Sequence, residues 1–270
     1  MKDNGFKREF RLSRKGTVIT MTEEPNRLYE YERFQTAAQN ILRPGGLTLT
    51  KKAMDIAGLA KGSRILDVGC GCGKTVEYLK EKFQMQAMGI DISKKLIAKA
   101  KLLNSTLEVM VGDVYQLPYA DQSMDCVFCE CAFSLFEYRP RALAEIKRVL
   151  KPSGKLIISD LYIREKTAHS SKLPIVTCIN RIAARDILIQ EMTGAGFRLI
   201  EWQDETGVFK EFIAGLIMKY GLMTVGESLP DLSDKACVLQ DNLNHVKIGY
   251  YLSVWQKIGR EGRFNLLENL

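Results

Sequence analysis

From Thr48 onward, apolar residues alternate between two spacings. Stretches with apolar positions three or four apart read as amphipathic helices. They are "TLTKKAMDIAGLA" (48–60), "KTVEYLKEKF" (74–83), "SKKLIAKAKLL" (93–103), "RALAEIKRVL" (141–150) and "ARDILIQEMTGAG" (184–196). Between them lie short, nearly continuous apolar runs that read as strands: "RILDVG" (64–69), "QAMGID" (86–91), "LEVMVGD" (107–113), "MDCVFCE" (124–130), "KLIISDLY" (155–162) and "FRLIEWQDE" (197–205). "KPSG" (151–154) is expected to stop the fourth of these helices. This alternation predicts an α/β fold with right-handed crossovers and a mostly parallel sheet covered on both faces. "FKEFIAGLIMKYG" (209–221) reads as a later helix. "VKIGYYLSVWQKI" (246–258) reads as a last, antiparallel strand at one sheet edge. The first fifty residues are polar and irregular apart from a predicted helix near "RLYEYERFQTAAQNIL" (27–42) and a turn at "RPGG" (43–46). The resulting division is an N-terminal helical lid over 1–50, a core over 51–205, and C-terminal helices with the last edge strand over 206–270.

The strand–turn–helix at "ILDVGCGCGKT" (65–75) carries the first chemical signal. A phosphate-cradling P-loop needs Gly, four residues, then Gly-Lys-Ser/Thr. Counting back from Gly73 places Val68 where that first glycine belongs, so the spacing fails. What remains is Asp67 followed by Gly69, Gly71 and Gly73 at every second position, with Cys70 between the first two. Glycines permit a tight turn and close approach of a ligand to the backbone. Asp91 ends the next strand, where doubly wound folds place an acid on ribose hydroxyls. Lys74 breaks the third glycine of the dinucleotide pattern, and Asp67 suits a cation better than a pyrophosphate. The pattern points to an adenosine-type ligand carrying positive charge.

The chain resembles class I S-adenosylmethionine-dependent methyltransferases. The resemblance rests on "ILDVGCGCG", "MGIDIS", "VGDVYQLPYADQSMDCVFC", "ALAEIKRVLKPSGKLIISD" and "MTGAGF", in that order. It implies a Rossmann-like, doubly wound sheet of seven strands, mostly parallel with an antiparallel last strand, extended by N-terminal and C-terminal helical additions. It implies S-adenosylmethionine as cofactor, held by the glycine loop, by Asp91 and Ile92 at the ribose, and by Gly112, Asp113 and Val114 near the adenine. Cys129, Glu130 and Cys131 are implied beside the methionine end. No Asn-Pro-Pro-Tyr or Asp-Pro-Pro-Tyr follows the fourth strand, which argues against adenine or glutamine methylation. The expected acceptor is a small molecule. Asp160, Tyr162, His169 and Glu130 are candidate bases, and Arg43 or Tyr31 could reach the cofactor.

Composition adjusts this picture in two ways. The net charge of +7 reads as a solvated surface, because Lys and Arg are mixed with acids everywhere except "SKKLIAKAK" (93–101). A nucleic-acid partner is therefore not expected. No apolar stretch reaches the roughly 18 residues of a membrane span, and a cytoplasmic monomer or homodimer is expected. The seven cysteines read as thiols, not a disulfide framework. Three crowd "CVFCEC" (126–131). The longer stretch "CECAFSLFEYRPRALAEIKRVLKPSGKLIISDLY" (129–162) is similar to that of arsenite methyltransferases, which implies a thiol pair, Cys131 with Cys178, able to hold a metalloid acceptor. Cys126 is expected to be core packing, and no structural metal site is expected. A cofactor-binding regulator without catalysis is a third possibility.

Overall fold

The computed structural model describes residues 28–30, 43–165, 181–227 and 247–259. Within these, seven strands form one sheet. They are β1 (Arg64–Val68), β2 (Gln86–Asp91), β3 (Val109–Val111), β4 (Met124–Glu130), β5 (Leu150–Glu165), β6 (Phe197–Asp204) and β7 (Lys247–Lys257). The order across the sheet is β3-β2-β1-β4-β5-β7-β6. The pairs β1–β2, β1–β4, β2–β3 and β4–β5 are parallel. β7 is antiparallel to both of its neighbours. The predicted mixed sheet is therefore present.

One expectation fails. β7 is not an edge strand, because it lies between β5 and β6. The reason is visible in its burial. Tyr250, Tyr251, Leu252, Ser253, Val254 and Trp255 are all buried, so both faces of the strand are covered, as an interior strand requires. β6 buries only Phe197, leaves its other residues half-buried or exposed, and takes the edge. "KPSG" also differs from a simple stop. Leu150 pairs with Met124 and Lys155 with Cys126, so the intervening residues form a bulge within β5. Ser153 sits there at φ 60°.

Six α-helices complete the described residues: α1 (Gly46–Ala57), α2 (Lys74–Phe83), α3 (Lys94–Leu103), α4 (Arg139–Val149), α5 (Arg185–Gly194) and α6 (Thr206–Glu227). α1 buries Leu49, Thr50, Ala53, Met54 and Ala57, one stripe at helical spacing. It ends at Gly58, whose left-handed backbone sends its N–H to the Met54 carbonyl. α3 starts at Ser93, whose Oγ accepts the Leu96 N–H. α4 buries Ala142, Leu143, Ile146 and Val149. Each large aliphatic chain so buried is worth about 1.5–3 kcal/mol. Apolar clusters form on both faces of the sheet. Leu66, Val68, Cys129, Ile158 and Trp255 belong to one, and Ile65, Cys126, Phe128, Ile157 and Val254 to the other. Alternate residues of the central strands thus feed opposite cores. The expected N-terminal helix lies outside the described residues except for the 3-10 turn Leu28–Glu30. No helix among the described residues is long and apolar enough to cross a membrane.

Candidate functional site

In this strand order the connections reverse direction between β1 and β4, and the crevice above that point is where open α/β sheets bind ligands. The glycine loop leaves β1 there. Gly69, Gly71 and Gly73 have φ of 80°, 52° and 75°, values that strain any residue with a Cβ. A Cβ at Gly69 would lie 2.6 Å from Ala132 Cβ, so the loop closes directly on the turn that follows β4. Gly69 N–H and Cys70 N–H both donate to the Ile90 carbonyl, at 2.8 and 3.0 Å. The loop is thus fastened to β2 through its own backbone.

Asp91 fixes the loop a second time. Its Oδ2 accepts Gly71 N–H at 2.9 Å and its Oδ1 accepts Ser93 N–H at 2.8 Å. Gly112 N–H reaches the Asp91 carbonyl at 3.0 Å, so the ends of β2 and β3 sit side by side. The neighbouring Asp113 is exposed and accepts Tyr115 N–H at 3.0 Å. Ile92 is 51% exposed at this end of the sheet, so it is not a core residue. Val114 is buried in the core.

Asp67 is 3% exposed at the end of β1. No hydrogen bond from another described residue reaches its carboxylate. Its pKa is raised well above the usual carboxylate value, first by burial and then by the negative charge of Glu130, with Arg43 opposing. A buried carboxylate in this condition favours any cation brought beside it.

Glu130 is held differently. Thr50 Oγ1 donates to its Oε1 at 2.9 Å, and Thr75 Oγ1 donates to its Oε2 at 2.7 Å. Arg43 Nη2 lies 3.0 Å from Oε2 and also donates to Thr50 Oγ1 at 2.8 Å. The carboxylate therefore ties the turn before α1, α1 itself and the first turn of α2 to the end of β4. Three protein donors already engage its carboxylate, which leaves Glu130 poorly suited as a free base. Asp160 is similarly committed. It is 1% exposed and accepts Ser134 N–H, Ser134 Oγ–H and Leu161 N–H at 2.7–2.8 Å. Sequence reasoning does not find Thr50 or Thr75. Thr50 lies on the buried stripe of α1, and Thr75 looks like the remnant of a failed P-loop.

Cys70, Cys72, Cys126 and Cys129 are buried, and burial pushes all four thiols up. Cys126 and Cys129 are core residues on opposite faces of the sheet. Cys129, which the resemblance implies beside the cofactor, has its side chain fully buried in the core. Cys131 is the partly open one, with Sγ 3.2 Å from the Tyr250 hydroxyl. Its expected partner Cys178 lies outside the described residues, as do His169 and Tyr31. Tyr162 packs edge-on against Trp202 and Tyr251. It lines an open cleft of about 450 Å³ with Arg164, Arg185, Asp186 and Asp204, on the β5 and β6 side of the sheet and not at the β1 loop. Burial and Asp204 raise its hydroxyl pKa, which weakens it as a base near neutrality. No group of three or more His, Cys, Asp or Glu able to hold a metal ion occurs among the described residues.

Comparison with known proteins bears on this geometry. Residues 66–158 match the family described as a methyltransferase domain. Phosphoethanolamine N-methyltransferase 1 of Arabidopsis thaliana is 29% identical over 192 residues, covering 69% of this chain and 38% of that protein. The chain thus spans well under half of that relative's length. Among solved structures, phosphoethanolamine N-methyltransferase 2 of Haemonchus contortus, in complex with S-adenosyl-L-methionine, superposes with a TM-score of 0.69. It is 19% identical, over 86% of this chain and 56% of that one. The [4+2]-cyclase SpnF superposes with a TM-score of 0.64 at 24% identity, over 78% of this chain and 82% of that one.

Proposed function

We propose that this chain, whose residues 66–158 match the family described as a methyltransferase domain, binds S-adenosylmethionine over the glycine loop and directs its methyl group to a small-molecule acceptor. The observation that carries the reading is the pair of buried carboxylates flanking that loop. Asp91 spends both oxygens on backbone N–H groups yet stands where ribose hydroxyls are recognised. Asp67 receives no hydrogen bond from the other described residues, in a place that rewards an ammonium or sulfonium. A phosphate-bearing ligand would meet that carboxylate unfavourably.

The cofactor supplies an electrophilic methyl group on positively charged sulfur. The chain's own work is orientation of the reactants and exclusion of water. The loop backbone and Asp91 set the nucleoside end. Asp67 holds the cationic end. The Glu130 network fixes α1 and α2 around that end. Ile92, half exposed beside Asp91, offers an apolar surface for the base. The acceptor site lies over the turn after β4, where Ala132 faces the glycine loop.

The test is a transfer assay with S-adenosylmethionine labelled in its methyl group and a panel of small amine and phosphorylated-amine acceptors, the class named in the relatives. Label is expected in one of these products, with S-adenosylhomocysteine formed in equal amount. Cofactor binding with no transfer to any acceptor would favour a non-catalytic binding protein.

A further inference from the structure

We propose that Asp160 is a positioning residue for the cofactor groove: its two carboxylate oxygens pin Ser134 and so hold the turn after β4 against Gly69. The proposal rests on the reading of the groove given above.

The geometry forms a short chain of contacts. Asp160 Oδ2 accepts Ser134 N–H at 2.8 Å. Its Oδ1 accepts Ser134 Oγ–H at 2.8 Å and Leu161 N–H at 2.7 Å. Ser134 belongs to the 3-10 turn Phe133–Leu135, which Ala132 precedes. Ala132 in turn stands where a Cβ on Gly69 would collide with it. Leu135 N–H donates to the Ala132 carbonyl at 3.0 Å, so the turn moves as a unit.

The turn needs such a restraint. Cys131 enters it at φ 52°, a left-handed value that is uncommon for a side chain other than Gly, Asn or Asp. Residues in that region persist when their surroundings over-determine them. Beside the contact of Cys131 Sγ with the Tyr250 hydroxyl at 3.2 Å, β5 supplies two restraints. Cys131 N–H donates to the Ser159 carbonyl at 2.8 Å. The other restraint is the Asp160–Ser134 pair. Both come from consecutive residues of β5, so the strand sets the height of the groove wall. Asp160 is fully desolvated, and its carboxylate has three donors but no hydrogen-bonded cation among the described residues. The charged or titratable groups facing it are Arg139 from α4, Cys129 from β4, and Tyr250 and Tyr251 from β7. Burial raises its pKa to about 6, against the pull of its hydrogen bonds and Arg139.

An amide in place of the carboxylate cannot do the same work. The two backbone N–H groups, Ser134 and Leu161, sit on different oxygens. Asn has one acceptor oxygen, so either orientation turns an NH₂ donor toward one of those N–H groups. Protonation of Asp160 likewise puts a donor on one oxygen.

The experiment is calorimetric titration of the full chain with S-adenosylhomocysteine, for wild type, Asp160→Asn and Ser134→Ala, from a unit below to a unit above pH 6. At the upper end Asp160→Asn is expected to bind about tenfold more weakly. That gap is expected to close toward the lower end, as wild-type Asp160 becomes neutral. The raised pKa of Asp67 is common to both proteins, so its contribution cancels in the ratio of affinities. Ser134→Ala keeps the N–H bond and loses the hydroxyl. It is expected to bind about threefold more weakly while retaining the wild-type pH dependence. A folded Asp160→Asn protein with wild-type affinity throughout would overturn the proposal, and so would a gap that does not change with pH. If Asp160→Asn fails to fold, unchanged affinity in Ser134→Ala overturns it instead. Failure of the wild type itself to bind would reject the reading of the groove, a distinct result.

Discussion

Replacing Glu130 with Gln tests how the end of β4 is held together. Gln keeps the shape and removes the charge. The Arg43 and Glu130 side chains are only 11% and 4% exposed, so solvent does little to screen them. Removing one partner of a buried ion pair costs about 3–5 kcal/mol, because the other charge is left uncompensated. The amide that replaces the carboxylate still offers one oxygen to Arg43 or Thr50, which places the loss near the lower figure. A second effect opposes it. Glu130 and Asp67 repel one another, and that repulsion helps to raise the Asp67 pKa. Relieving it returns on the order of 1 kcal/mol, the equivalent of about one pKa unit, because burial, not Glu130, is the larger cause of the raised Asp67 pKa. The ion pair is the larger quantity, so the net loss is about 2 kcal/mol. For a urea slope of about 2–3 kcal/mol/M, the midpoint should fall by a little under 1 M with the slope unchanged. Arg43→Met with Glu130→Gln removes both charges, and should lose clearly less than the sum of the two single changes. Wild-type stability in Glu130→Gln, or single effects that add to within about 0.5 kcal/mol, would refute the ion-pair argument.

Further outcomes follow from other parts of the structure. Gly69→Ala places a methyl group 2.6 Å from Ala132 Cβ at φ 80°; a lower melting temperature together with loss of cofactor binding is expected, and binding at wild-type affinity would show that the loop does not close on that turn. Glu145 has a depressed pKa, first through its hydrogen bond to Arg148. Its contribution to stability is therefore present above the ordinary Glu value and lost as pH falls through the lowered one. The stability gap between wild type and Glu145→Gln, read from urea unfolding, should be full at neutral pH and vanish in acid. Among the described cysteines, Cys131 should be the one that a thiol-alkylating reagent modifies in the native protein, with mass spectrometry of peptides as the readout. Cys126 and Cys129 should react only after unfolding, since burial both hides them and keeps them protonated.

Local signals make much of the fold legible. α2, β2 and β4 have the ends that the patterning predicts, because turn residues bracket each one. β3 is shorter than expected: it is an edge strand and pairs with β2 over only Gly89, Ile90 and Asp91. The antiparallel direction of β7 suggests an edge, although its unbroken run of buried residues belongs to an interior strand. The glycine loop, Asp67 and Asp91 are readable because they lie within one strand–turn–helix–strand unit. The Glu130 network is not. Thr50 and Glu130 are 80 positions apart, and only the sheet brings them together. The same holds for Asp160. In the sequence it looks like a free base at a strand end, whereas Ser134, 26 residues earlier, occupies it.

The central claim is that the crevice over the glycine loop takes a cationic adenosine ligand. Calorimetric titration of the reduced full chain with S-adenosylmethionine, and in parallel with ATP and NADH, tests it most directly. One saturable site for S-adenosylmethionine is predicted, weakened by Asp67→Asn and by Asp91→Ala, with no comparable heat from the two phosphate-bearing nucleotides. Binding of ATP or NADH in place of S-adenosylmethionine, or S-adenosylmethionine binding unaffected by both substitutions, would contradict it.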